Sequence, residues 1–136
     1  MITHLIDTNA VIALIGRKSE TLLKRVIDSD EGSMGLSTVV MHELYYGAYK
    51  SAKTSYNLET LRLFVADFSV VGFEQDDALA AGEIRAALAA KGTPIGPYDV
   101  LIAAQARTRD LVLVTNNVGE FRRMDGLIVE DWTVGR

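Results

Sequence analysis

The sequence predicts an α/β fold: three layers, α/β/α, around a mainly parallel sheet of about five strands. Two observations predict it. Short apolar runs alternate with helical stretches from one end to the other, the order that crossover-linked parallel strands require. No repeat, low-complexity tract or linker interrupts the 136 residues, so one domain spanning 1–136 is expected.

The elements follow in order. Residues 2–7 are short, apolar and closed by Asp7-Thr8-Asn9, which reads as a buried strand ending at a polar turn. Thr8 or Asn9 is expected to cap the helix over 10–15, which Gly16 stops. Ser19 caps a second helix whose Leu22, Leu23, Val26 and Ile27 share one face. After a polar break comes a brief strand over 34–36, then a helix from Ser37 or Thr38 to about Ala52 and another over 55–66. Residues 69–73 read as the third strand. The alanine-rich run 76–91 reads as a helix stopped by Gly92. Both prolines fall in the turn 92–97, followed by an apolar helix over 99–107. A fully buried strand over 111–115, a short helix over 117–123 and a last strand over 127–129 close the pattern.

Composition bounds the function classes. There is no cysteine, which excludes disulfides, thiolate zinc sites and cysteine nucleophiles. No apolar run reaches the ~18–20 residues of a membrane span, and residues 1–7 lack the basic flank of a signal peptide. A cytoplasmic location is therefore expected. A net charge of −4 argues against a protein that coats nucleic acid non-specifically. It is compatible with an enzyme that gathers carboxylates around a cation.

In a parallel α/β sheet, ligands sit beyond the carboxyl ends of the strands. The residues there are Asp7-Thr8-Asn9, the start of the helix bearing Glu43, and Thr115-Asn116-Asn117. Asp7 ends a buried strand, where an Asp also serves as a helix cap; with Thr8 and Asn9 able to cap, it is free for another task. Glu43 shares a helix face with Val40 and Gly47, and a carboxylate among apolar neighbours needs a cation or strong donors. A salt bridge to Lys or Arg would also satisfy it. Asp99 opens an apolar helix, where capping is again the simpler role. Together the three acids carry more weight, because carboxylates gathered at one point repel unless a divalent cation joins them. Mg²⁺ or Mn²⁺ suits oxygen-only ligation, and either ion can activate water and neutralise charge on a phosphate during in-line attack.

These segments resemble a known family. Leu5-Ile6-Asp7-Thr8-Asn9 resembles the opening motif of PIN domains, and Ser37 through Glu43 to Gly47-Ala48 the second. Gly92 through Asp99 to Ala103-Ala104 resembles the third, and Val114-Thr115-Asn116-Asn117 with Glu120-Phe121 the fourth. Gly126-Leu127 through Asp131-Trp132 is similar to the tail of VapC proteins. Any one motif is weak, whereas four in order over nearly the whole chain are specific. The resemblance implies a PIN fold, Mg²⁺- or Mn²⁺-dependent RNA cleavage, homodimerisation and neutralisation by a cognate VapB-type antitoxin. It is nearest the enteric VapC type, which implies tRNA as substrate, cut in the anticodon loop of initiator tRNA.

Carried over by residue, Asp7, Glu43 and Asp99 match the acidic catalytic and metal-binding positions of the family. Where many PIN domains have a further Asp, this chain has Asn117, which brings an amide oxygen and no charge. Glu120, about one turn on, is a candidate to supply that charge, and the number of ions stays open. Thr115, Asn116 and Arg122 are candidates for substrate contact, the last through RNA phosphates. Glu83 is expected to face solvent or an ion pair rather than support the site, and Arg85 to steer a phosphate or meet an acidic partner residue. His4 and His42 read as packing or surface residues. The spacing of Tyr45, Tyr46, Tyr49 and Tyr56 favours packing over base stacking.

Two rival classes share these residues: a PIN-like module that binds RNA or protein without cutting, and a small metal-dependent phosphatase. The intact carboxylates speak against the first. A second Asp two residues after Asp7, and a convincing catalytic Lys, are missing for the second.

Overall fold

Each apolar run is only long enough for a short strand, and the computed structural model, which describes residues 1–134, shows five of them. They are β1 (His4–Ile6), β2 (Met34–Ser37), β3 (Ser69–Val71), β4 (Val112–Val114) and β5 (Val129–Glu130). Between them lie α1 (Thr8–Ile15), α2 (Glu20–Ile27), α3 (Thr38–Lys50), α4 (Thr54–Val65), α5 (Gln75–Ala90), α6 (Pro97–Thr108) and α7 (Val118–Phe121). The predicted order of strands and helices holds throughout.

Boundaries moved where hydrogen bonding, rather than burial, sets them. Ile2, Phe73 and Leu111 pack against the core without joining a strand. The last strand lies at 129–130 rather than 127–129, because Gly126 turns at φ +80° and Val129 and Glu130 pair with Leu113 and Val114. Helix α5 starts one residue early, where the Glu74 side chain and Asp77 form a reciprocal capping box. Helix α6 starts at Pro97 with Gly96 as its cap, so the expected capping role of Asp99 is wrong. Proline at the first helical position needs no N–H there.

The sheet order is β3-β2-β1-β4-β5, and all four pairings are parallel. Ile6 stands level with both Leu36 and Val114. The next residues along, Asp7, Ser37 and Thr115, therefore emerge side by side at the carboxyl edge. The connections step one way from β1 to β3 and then return to β4 and β5, which makes the gap between β1 and β4 the switch point. Helices flank the sheet, as right-handed crossovers in opposite directions demand. Such a switch point opens a crevice beyond the strand ends. Gly35 lets β2 sit close to its neighbours: a Cβ there would lie 2.9 Å from the Ile2 side chain and 3.1 Å from the His4 carbonyl.

Leu5, Ile6, Leu36, Leu113 and Val114 form the sheet part of the core, covered by Val11, Leu22, Val40, Ile102, Ala103 and Phe121. Two buried polar pins tie helices to the sheet. Ser37 donates its hydroxyl to Gln105 Oε1 at 2.5 Å, and Gln105 Nε2 donates to the Val71 carbonyl at 3.3 Å. Asp77 takes the Arg109 guanidinium on both oxygens, at 2.5 and 2.9 Å, and the Thr108 hydroxyl at 2.6 Å, while Arg109 also reaches the Gly72 carbonyl. Burial pushes the Asp77 carboxyl up, but the bonds from Arg109, Thr108 and the Glu74 N–H outweigh it and hold the group below its ordinary value. At the far edge, Trp132 is buried beneath the Arg25 guanidinium, 4.4 Å from its ring centre, and against His4. Among the described residues, no helix is long and apolar enough to cross a membrane.

Candidate active site

Strand β1 runs directly into α1, and Asp7 is the hinge between them. Its backbone is extended (φ −82°, ψ 171°), and its own side chain caps the helix, so the expectation that Thr8 or Asn9 would cap is corrected. Capping does not occupy the carboxylate, because it has room for about four hydrogen bonds. Oδ1 accepts the Ala10 N–H at 2.8 Å and Oδ2 accepts the Thr115 hydroxyl at 2.5 Å. With 2% of its surface exposed, Asp7 is held rigidly. Burial pushes its carboxyl up to about 6 against those two bonds, and the charges of Glu43 and Asp131 add to the rise.

The other acids approach from separate elements. Glu43, half-buried on α3, accepts the Thr8 hydroxyl at 2.7 Å. That bond ties the first turn of α1 to α3. Among the described residues no Lys or Arg salt bridge involves Glu43. Asp99 sits in the first turn of α6, and Gly96 leaves it space: a Cβ at Gly96 would lie 3.0 Å from Asp99 Oδ2. Burial pushes Asp99 up to about 6, and the negative charges of Glu120, Asp7 and Glu43 push the same way. Glu120 stands within hydrogen-bonding reach of Asp99 and accepts the Asn117 side-chain N–H at 2.7 Å. Asn117 in turn donates its backbone N–H to the Thr115 hydroxyl at 2.9 Å.

The fold thus brings Asp7, Glu43, Asp99 and Glu120 to the β1/β4 switch point, where the charge of Glu43 bears on Asp7, and the charges of Glu120, Asp7 and Glu43 bear on Asp99. They do not stand as a closed cage. Among the described residues no group of three acids is close enough around one point to grip an ion outright. The side chains there offer oxygen donors only, the donor type that Mg²⁺ and Mn²⁺ take alongside retained waters. Asp7, Glu43 and Asp99 are the residues that could hold the ion, with Glu120 and the Asn117 amide behind Asp99.

Several roles differ from expectation. Thr115 is 1% exposed and its hydroxyl is engaged by Asp7 and Asn117, so it positions the site rather than touching substrate. Asn116, next in the chain, and Arg122, at the end of α7, are exposed. Thr8 and Asp131 were missed: the first bonds Glu43, and the second follows β5 closely enough to raise Asp7. Correct placement of the end of β5 would have found Asp131. Glu83 lies in a surface ion pair with Arg107 at 2.5 Å, as expected, and Arg85 is exposed on the same helix. His4 packs at a tilt against the Trp132 ring and His42 meets the edge of Tyr98, which are packing roles. Tyr46, Tyr49 and Tyr56 are 64–70% exposed, so the packing expected of them does not occur within the chain.

Known proteins resemble this chain in sequence and in fold. A family model described as "PIN domain" matches residues 4–127. The tRNA(fMet)-specific endonuclease VapC of Salmonella typhimurium is 41% identical over 132 residues, covering 97% of this chain and 99% of that protein. Ribonuclease VapC2 of Haemophilus influenzae is 36% identical over 97% of this chain and 99% of its own length. Among solved structures, the DNA-bound VapBC of Salmonella typhimurium superposes with a TM-score of 0.92, covering 97% of this chain and 99% of that one at 41% identity.

Proposed function

This chain belongs to the PIN-domain family, in its VapC group, and on that premise we propose that it is a divalent-metal-dependent endoribonuclease and the toxin of a toxin–antitoxin pair. The supporting observation is the meeting of Asp7, Glu43 and Asp99 at the switch point of a parallel sheet, with Asp7 and Asp99 each pushed up to about 6, chiefly by burial and further by neighbouring carboxylate charge. The proposed substrate is tRNA, after the printed name of the Salmonella relative. The proposed partner is a VapB-type antitoxin, after the VapBC complexes it resembles. Homodimerisation and a cytoplasmic site of action complete the reading.

Bound Mg²⁺ or Mn²⁺ would supply charge neutralisation at the phosphate and activation of water. The chain's own residues do the rest. Thr115 and the Ala10 N–H fix both oxygens of Asp7, and Thr8 fixes one oxygen of Glu43. Asp99 is less constrained, and burial together with the Glu120 charge beside it pushes its carboxyl up to about 6.

Incubating the purified protein with total tRNA tests this. Fragments are expected with Mg²⁺ or Mn²⁺ and none with EDTA. Absence of metal-dependent fragments from any cellular RNA would replace the nuclease with an RNA- or protein-binding module. Thr115→Val is nearly isosteric but removes the donor to Asp7, so cleavage at pH 7 is expected to fall about 10- to 100-fold. The loss should shrink as pH rises, because the variant's Asp7 ionises later. Equal activity at every pH would separate Thr115 from the site.

Proton linkage gives a readout independent of cleavage. Asp7 and Asp99 rise from 3.8 to about 6 on folding. Without metal, the folded state therefore holds protons that the unfolded chain has released. Their stabilising contribution is complete below about pH 4 and is lost as pH rises through about 6. Mg²⁺ should accordingly raise the melting temperature more at pH 7.5 than at pH 5. An equal shift at both pH values would contradict this coupling.

A further inference from the structure

An open depression of about 520 Å³ lies between α1 and the segment that leaves β4, lined by Asn9, Ile12, Ala13, Lys18, Asn116 and Asn117. Its floor follows from helix geometry: Asn9, Ile12 and Ala13 stand at i, i+3 and i+4 and share one face of α1. Its basic corner follows from how that helix ends. Arg17 takes a left-handed backbone (φ 52°), which turns the chain so that the Lys18 N–H returns to the Ala13 carbonyl at 3.0 Å. The Lys18 stem then lies along the helix end, its Cγ and Cε each 3.6 Å from where a Cβ on Gly16 would be.

The opposite wall is Asn116-Asn117, leaving β4. The Thr115 hydroxyl that bonds Asp7 also accepts the Asn117 N–H, so one side chain sets both the wall and the catalytic carboxylate. Asn9 follows Thr8, which bonds Glu43, and Asn117 bonds Glu120. The depression is thus joined to the acidic cluster on two sides. Asn117 is committed to Glu120, whereas Asn9, Asn116 and Lys18 are exposed and Ile12 is 49% exposed. Among the described residues the salt bridges use Arg25, Arg62, Lys91, Arg107 and Arg109, and Lys18 is in none of them.

This chemistry matches one nucleotide of single-stranded RNA. A carboxamide both donates and accepts, as the edge of a nucleobase does, and single-stranded bases present those edges freely. An exposed aliphatic side chain offers a base an apolar face, and an ammonium meets a phosphate. With a net charge of −4 and four carboxylates next door, a local cation is what an RNA strand needs to approach. We infer that the Asn9–Ile12–Lys18–Asn116 depression is a nucleotide subsite, holding the base and phosphate of a residue next to the one cleaved. The inference rests on the ribonuclease reading for its place in a reaction, though not for its binding chemistry.

Binding can be measured without cleavage. In the 136-residue chain carrying Asp99→Asn, the affinity of fluorescein-labelled single-stranded RNA decamers (uniform adenine, uracil or cytosine) is followed by anisotropy. Adding Lys18→Ala is expected to weaken all three about 5-fold or more and to reduce the salt slope by about one. Lys18→Arg should restore most of the affinity. Adding Asn9→Ala with Asn116→Ala should weaken at least one decamer about 5-fold, the size of a lost base contact. Affinities within about 2-fold of the background for all these variants, with unchanged salt slope, would overturn the subsite. If the losses appear while the unsubstituted chain cleaves no RNA, the subsite stands and the nuclease reading falls. If the chain cleaves RNA and the losses are absent, the reverse holds.

Discussion

Asp7→Asn and Asp99→Asn are each expected to lower RNA cleavage by about 100-fold or more while leaving the fold intact. Asparagine at position 7 keeps an Oδ1 acceptor for the Ala10 N–H, so α1 stays capped. Its Nδ2 can donate to the Thr115 oxygen, which reverses that bond without breaking it. What disappears is the negative charge. At position 99 there is no cap to lose, because Gly96 holds that place. Replacing Asp99 also relieves repulsion from Glu120, Asp7 and Glu43, so this variant should melt no lower than the parent at pH 7.5. Circular dichroism beside a cleavage assay with Mg²⁺ checks both. Full activity in either variant would remove that residue from the site.

The largest expected loss of stability lies elsewhere. Asp77→Ala strips the Arg109 guanidinium of its two-oxygen partner in a place where Asp77 is 1% exposed and the Arg109 side chain only 29% exposed. Breaking such a pair from one side costs about 3 kcal/mol, because the remaining charge loses its partner but stays largely out of water. For a domain of this size that is a fall in melting temperature of roughly 10 °C. A double-mutant cycle with Arg109→Ala should show coupling of about 2 kcal/mol. RNA cleavage at low temperature should be unaffected. A change under about 0.5 kcal/mol in urea unfolding would mean that the network is peripheral to the fold.

Local signals made most of the architecture legible. Alternating apolar runs and helical faces located all five strands and seven helices, because period and burial are written residue by residue. The strand ends were less legible, since an apolar residue such as Phe73 packs on the core whether or not its backbone joins the ladder. The acids at 7, 43 and 99 could be picked out because each stands within or at the edge of an apolar element. The part of Thr8 could not, since nothing near it in the sequence says that Glu43 lies 2.7 Å away. Asp77 was equally hidden: as one acid among others at a helix start, it reveals its buried partner only through Arg109.

The residues alone settled the fold class, the order of elements, the absence of thiol chemistry and which carboxylates to suspect, because each depends on neighbours within a turn or a strand. Tertiary pairing decided what those carboxylates are like. The register that sets Ile6 level with Val114 puts the Thr115 hydroxyl on Asp7 across 108 positions of chain. The same folding brings Glu120 to Asp99 and raises both Asp7 and Asp99 to about 6. Charge repulsion and desolvation depend on distance in space, which a one-dimensional pattern does not contain.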